Sequence, residues 1–367
     1  MYDRPVKLMI PGPVEVDARV LAALSAAVEP HYGDAWVEKY AYVIQLLKRV
    51  FNTHYDVFLM VGSGTCAIDA CIGSSLLTGE KIIIGNNGFF GDRLVDLASN
   101  NGLDIVEVKA DWGQLLDPQA IHEALRAHPD ARAVAIVHGE TSTAILNPVA
   151  EIGAVVRNTD AVLILDAVSS LGGVPYDVEA WGVDLCASAT QKCLGCVPGL
   201  APVAISPKAW AMIDRSENKA HSWYTNLQIW RKYGQEWADW HPTPVTMPTN
   251  TVNALLTSLE ILMEEGIEVR MRRFRALALQ LRDGLRRAGM QPFTEDEILN
   301  PVLTAARPPE GVESSQVVRY LMDEHRIQIS GGLGALKQTV FRVGHMSPVL
   351  TEADIATLVL ALGAFPK

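Results

Sequence analysis

Basic residues are in the minority: 31 Lys and Arg stand against 42 Asp and Glu, a formal net charge of −11. A phosphate-backbone binder needs a basic face, so no nucleic-acid partner is expected, although a local basic site for a small anion is compatible with this balance. Long hydrophobic runs are also missing. No apolar run approaches the roughly 18 residues of a membrane span. The opening MYDRPVKLMIPGPVEV has no long apolar stretch followed by a small-residue cleavage site. Neither a membrane partner nor a secretory leader is expected. Cysteine is scarce, with five residues in two short clusters. An odd, clustered set argues against a disulfide framework and makes a cytoplasmic location the default. Cys193 and Cys196 form a C-x-x-C without a second pair, and the nine histidines are scattered. No metal site is expected, and these cysteines read as small packing residues.

What is present is a long, core-rich chain. Its 367 residues imply two domains. Hydrophobic residues make up 49% and charged residues 20%, enough for a sizeable core. Short apolar stretches bounded by polar or Gly-rich turns predict strands at 58–61, 81–84, 104–108, 132–137, 161–165, 184–188 and 201–205. Helical patterns fit between most of them. Asp17 is expected to cap a helix burying Val20, Leu21, Leu24 and Val28, ended by Pro30. Glu38–Asn52 reads as a second helix, and Asp117-Pro118 as an N-cap with proline at the first helical position. Strands apolar on both faces, alternating with helices, predict an α/β fold with a mostly parallel sheet flanked by helices. Helical periodicity from Asn250 to Gly289, broken near Gly266, precedes a smaller α+β segment. The expected division is a large domain over 15–255 and a small one over 256–367 with 1–14.

In such a sheet, ligands bind outside the carboxyl ends of the strands. Asp166 directly follows strand 161–165, and Gln191-Lys192 follows strand 184–188. Either alone reads most simply as a turn residue. Together they pair an acid and an amine at successive strand ends on one edge. Pyridoxal phosphate needs both: a lysine to form an imine and a carboxylate to keep the ring nitrogen protonated. Its phosphate needs backbone N–H groups and hydroxyls. The turn Gly62-Ser63-Gly64-Thr65 supplies them after a strand and at a helix start. The same string matches a dinucleotide fingerprint, but the next strand runs into Gly85-Asn86-Asn87 without the acid a ribose requires. Phe90, beside glycines after strand 81–84, reads either as a core aromatic, the commoner fate of a phenylalanine, or as a side chain lying flat on the cofactor ring. His138 also ends a strand, as a site candidate or a structural histidine.

At this point the sequence resembles the class V aminotransferases of the alanine/serine–glyoxylate (pyruvate) type. The resemblance rests on PGP at Pro11–Pro13, GSGT at Gly62–Thr65, NGFFG ending at Gly91 and HGETST at His138–Thr143. It continues through LDAVSSLGG from Leu165, WGVDL from Trp181, SATQKCLGCVPG from Ser188, WHPTP from Trp240, GGLG from Gly331 and FRVGH from Phe341. The family implies a fold type I homodimer with the cofactor at the subunit interface. It makes Lys192 the Schiff-base lysine and Asp166 the ring-nitrogen partner. Val168 then packs on the ring face opposite Phe90. Ser63, Gly64, Thr65 and Gln191 become phosphate ligands, and Thr141 supplies a hydroxyl near the ring oxygen. Trp240 and Thr243 reach the phosphate of the other subunit. Gly12 and Arg342 border the substrate, with Arg342 clamping its carboxylate.

The implied reaction moves an amino group from alanine or serine to glyoxylate or pyruvate by a ping-pong mechanism. 2-Aminoethylphosphonate–pyruvate and ureidoglycine–glyoxylate transaminases are the alternatives. Cysteine desulfurisation is disfavoured, because glutamine precedes the lysine and no cysteine follows Cys196. Several positions depart from the family pattern. Trp240 stands where tyrosine is frequent, Ala144 where glycine is usual, and Asn226 where an acid is found. His345 replaces an apolar residue and is expected to alter the substrate pocket.

Overall fold

The computed structural model describes residues 6–215 and 222–366. Seven strands form one sheet: β1 (Asp56–Val61), β2 (Lys81–Asn86), β3 (Asp104–Lys109), β4 (Ala133–Val137), β5 (Val162–Asp166), β6 (Leu185–Ala187) and β7 (Leu200–Ile205). All seven lie on the expected stretches. Their spatial order is β1-β7-β6-β5-β4-β2-β3. β2 through β6 pair in parallel, and β7 runs antiparallel between β6 and β1. The sheet is therefore mostly parallel. β4, β5, β6 and β7 are buried along their whole length, as continuous apolar strands covered on both faces must be. Two apolar clusters, one on each side, fill the space beneath the helices.

The antiparallel strand has a local consequence. Antiparallel neighbours can be joined by a hairpin rather than a crossover helix. The segment between β6 and β7 therefore turns back at the ligand edge and is pinned from both sides. Thr190 donates its N–H to the Leu200 carbonyl at 3.1 Å and its hydroxyl to the Val197 carbonyl at 2.7 Å. Gly195 N–H closes the turn on the Lys192 carbonyl at 2.8 Å.

After β7 the chain forms the helix pair Thr249–Glu265 and Ile267–Arg287, broken at Gly266. Gly266 has φ +87°, a left-handed geometry that favours glycine. A second sheet follows: β8 (Gln291–Pro292), β9 (Leu303–Arg307), β10 (Ser330–Gly331) and β11 (Phe341–Gly344), in the order β8-β9-β11-β10 and antiparallel throughout. The N-terminal segment joins this part, since Lys7–Leu8 pairs in parallel with Ile327–Gln328.

Two helix boundaries differ from the sequence reading. Asp17 caps as expected, accepting from Arg19 N–H at 2.8 Å, but the helix spans only Ala18–Leu24. The Asn250 side chain donates to the Leu24 carbonyl at 3.0 Å and takes over the helix end. Leu21 and Val28, expected in the core, are 51% and 83% exposed. The second helix begins at Asp34, four residues before the expected start, because Gly33 at φ +84° turns the chain into it and Trp36 is buried in its first turn.

Candidate active site

A cavity of roughly 370 Å³ opens at the carboxyl ends of the parallel strands. Ser63, Gly64, Thr65, Phe90, Thr141, Asp166, Val168, Gln191 and Lys192 all line it. A larger cleft of about 430 Å³, bordered by Tyr40, Ile44 and Phe58, lies elsewhere and gathers none of these residues.

Asp166 is the last residue of β5, in register with Val137 of β4 and Ala187 of β6. One carboxylate oxygen accepts from Val168 N–H at 2.9 Å. Burial pushes its pKa up to about 7; the nearby Glu140 charge adds to this, while Lys192 and Arg93 act against it. Lys192 projects from the pinned turn, and its amine donates to the Pro11 carbonyl. Burial lowers that amine to about 8, and the Arg342 charge assists, although Asp166 opposes the shift. Gly12 makes room for it: a Cβ there would lie 2.5 Å from Lys192 Cδ, and φ is +90°. The two groups joined by the sequence argument thus face one cavity and sense each other's charge.

The anion end is built by β1 running into the helix Gly64–Ser75. Ser63 occupies the N-cap without a capping hydrogen bond, so its hydroxyl and the first-turn N–H groups are free for a ligand. Among the described residues no hydrogen bond occupies the Thr65 hydroxyl or the Gln191 amide, and the buried Gln191 Oε1 has no partner. A Cβ at Gly64 would meet Val168 Cγ2 at 2.3 Å, so only glycine lets the helix start this close to the cavity wall. A buried acid, an amine of lowered pKa, unclaimed donors at a helix start and the apolar side chains Phe90 and Val168 in the same lining fit pyridoxal phosphate.

Arg342 lies just behind this wall, on β11. It donates from Nε to the Gly331 carbonyl at 2.9 Å and from Nη1 to the Thr141 carbonyl at 3.1 Å. Among the described residues Nη2 has no hydrogen-bond partner. Burial lowers this guanidinium to about 10, and Glu140 favours its charged form.

Other sequence candidates lie apart from the cavity. Trp240 is 49% exposed on the surface, among Tyr32, Trp237 and His241. Thr243 is buried and donates to the Val245 carbonyl at 3.2 Å. Neither lines the cavity of its own chain. His138 is structural: its Nδ1 pairs with the Tyr176 hydroxyl at 2.6 Å, and burial holds its pKa down to about 3. His345 corrects an expectation. It is fully buried and pairs with Thr304 Oγ1 at 3.0 Å, away from the cavity lining. Alternation along β11 puts Val343 on the face opposite Arg342, and His345, just past the strand end, returns to that face beside Thr304, the register partner of Val343. Asn226 caps the helix Leu227–Glu236, accepting from Gln228 N–H at 2.9 Å, a task an aspartate performs equally well. Ala144 holds φ +57°, the left-handed region that accounts for glycine being usual there. All five cysteines are free thiols.

Two ionisable residues at the site are missing from the sequence candidates. Arg93 lines the cavity one helical turn beyond Phe90, with its guanidinium 5.1 Å from that ring. Glu140 is wholly buried beside the site. Its signal was available: like Asp166, it is an acid just past the end of a buried strand.

The family profile described as Aminotransferase class-V matches residues 21–356. An uncharacterized aminotransferase of Methanocaldococcus jannaschii is 37% identical over 351 residues, covering 96% of this chain and 90% of that protein. The alanine–glyoxylate aminotransferase of Mus musculus is 30% identical over 365 residues, covering 98% of this chain and 87% of that protein. The crystal structure of an alanine–glyoxylate aminotransferase from Nostoc sp. superposes with a TM-score of 0.94 at 33% identity, covering 99% of this chain and 96% of that one. The cavity chemistry and these near end-to-end likenesses lead to one conclusion: the chain belongs to the class V aminotransferases, pyridoxal-phosphate-dependent transaminases of fold type I.

Proposed function

We propose that this protein moves the amino group of a small amino acid, alanine or serine, to glyoxylate or pyruvate in a ping-pong cycle. The observation that carries the proposal is the shared cavity of Asp166, Lys192 and the unclaimed donors of Ser63, Thr65 and Gln191, with Arg342 at its border. When bound, pyridoxal phosphate supplies a carbon that accepts the amino group and a ring that withdraws electrons from the substrate Cα. The Lys192 amine would take the Cα proton of the donor and pass it to the cofactor carbon that receives the amino group. With its amine lowered to about 8, an appreciable neutral fraction exists near physiological pH. Asp166 holds the proton on the ring nitrogen, and its buried position strengthens that contact. Phe90 and Val168, both in the cavity lining, would pack against the cofactor ring. Ser63, Gly64, Thr65 and Gln191 bind the phosphate, Thr141 orients the ring oxygen, and Gly12 leaves space beside the lysine for substrate. Arg342, held by two backbone carbonyls, presents its remaining N–H groups to the substrate carboxylate.

The active unit in this reading is a homodimer. Exposed Trp223, Trp237 and Trp240 form an aromatic surface of the kind that interfaces cover, and the family resemblance assigns Trp240 and Thr243 of each subunit to the phosphate site of the other. Residues 15–255 form the cofactor domain; residues 256–367 with 1–14 form the small domain that carries Arg342. None of the described helices is long and apolar enough to cross a membrane, and the free cysteines suit a cytoplasmic enzyme. A phosphonate or ureide donor would also satisfy Arg342, so 2-aminoethylphosphonate and ureidoglycine belong in the substrate screen. Replacing Lys192 with alanine is expected to abolish turnover in every donor–acceptor pair. Undiminished activity in that variant would rule the mechanism out.

A further inference from the structure

The transamination machinery described above assigns nothing to Glu140, although it is the least exposed acid at the site. A buried carboxylate is costly unless donors surround it. Glu140 forms no ion pair within 4 Å among the described residues; its partners are four hydrogen-bond donors. Oε2 accepts from Phe90 N–H at 2.9 Å and Gly91 N–H at 3.1 Å. Oε1 accepts from Ser142 N–H at 2.9 Å and from the Ser142 hydroxyl at 2.6 Å.

These bonds join two separate walls of the cavity. Phe90 and Gly91 lie in the first turn of the helix Phe89–Asn100, whose N-cap, Gly88, has no side chain to satisfy the free N–H groups. Glu140 supplies the missing acceptor from a distant hairpin, at the end of its short strand Gly139–Glu140, and Ser142 Oγ in the hairpin loop accepts from Phe89 N–H at 3.0 Å. A Cβ on Gly88 would stand 2.5 Å from Glu140 Cγ and Cδ, so glycine is what admits the carboxylate. The hairpin that carries Glu140 also carries the Thr141 carbonyl that anchors Arg342 Nη1.

We propose that Glu140 is a positioning residue: its carboxylate fastens the Phe90 wall to the loop that orients Arg342, so that cofactor ring and substrate carboxylate are held in one fixed relation. The proposal rests on the cofactor reading given above. An ordinary side-chain cap at position 88 would satisfy the same helix end without linking these walls.

The decisive variant is Glu140→Gln in the cofactor-loaded protein. Glutamine keeps the shape but turns an NH2 group toward one of the two donor pairs, so one backbone N–H (Ser142) or two (Phe90 and Gly91) lose their acceptor, and the charge that strengthens the remaining bonds is gone. The visible circular dichroism of the bound cofactor is expected to fall to about half or less, because the ring is no longer fixed against Phe90. The KM for amino acid and oxo acid alike is expected to rise about tenfold, the equivalent of about 1.4 kcal/mol of lost substrate binding. Ser142→Ala, a milder cut in the same network, is expected to move both readouts in the same direction and decides the matter should Glu140→Gln fail to fold. Variants that lose only thermal stability, with dichroism and KM equal to wild type, would overturn the proposal. Wild-type protein that acquires no visible band on adding pyridoxal phosphate would instead overturn the cofactor reading.

Discussion

Replacing Asp166 with asparagine is expected to stabilise the cofactor-free protein in a pH-dependent way. Burial raises the Asp166 carboxyl from 3.8 to about 7 in the folded chain. The folded state therefore holds this proton longer than the unfolded state does. A carboxyl raised in this way removes stability as pH climbs through the interval between the two values, and the loss is complete above the folded one. The full interval of about 3 units corresponds to about 4 kcal/mol. At pH 5 only about 1.5 kcal/mol of this is felt, and at pH 8 nearly all of it. Asparagine keeps the acceptor for Val168 N–H and has no charge to bury. The stability of Asp166→Asn relative to wild type should thus grow by about 2.5 kcal/mol from pH 5 to pH 8. Urea unfolding of both cofactor-free proteins at the two pH values measures this. The difference between differences largely removes the titration of groups common to both. Adding pyridoxal phosphate should reverse the order, because the ring nitrogen loses its carboxylate and the variant binds the cofactor more weakly. A stability gap that stays constant or narrows between pH 5 and pH 8 would refute the argument that burial dominates this carboxyl.

Two further substitutions probe the anion and substrate ends. Gly64→Ala places a methyl 2.3 Å from Val168 Cγ2 and 3.3 Å from Ala189 Cβ. Overpacking of that kind costs about 1–3 kcal/mol and displaces a cavity wall, so cofactor affinity in a fluorescence titration should fall about 5- to 150-fold. Arg342→Gln removes a charged donor worth about 1.5–3 kcal/mol to a bound carboxylate. Steady-state kinetics should show KM raised about 10- to 150-fold for amino acids and oxo acids alike, with cofactor binding unchanged; a rise confined to one substrate would argue against a shared carboxylate clamp.

What the sequence determined by itself is whatever near neighbours encode. β4 and β5 are legible because continuous apolar residues demand cover on both faces, and the break at Gly266 because it adopts φ +87°. Asp166 and Lys192 stand out because a strand end in such a sheet faces the ligand edge. The tertiary structure decided what depends on partners far along the chain. The first helix stops at Leu24 because Asn250, 226 residues later, claims its carbonyl. His345 turns to Thr304 in the small-sheet core rather than to the substrate. Glu140 gains its place from amides 50 and 49 residues earlier, and Arg342 its anchor from a carbonyl 201 residues before it. Periodicity and caps are written within a turn or two of chain, whereas a buried polar group takes whichever partner the packed fold brings within about 3 Å, and no local pattern names that partner.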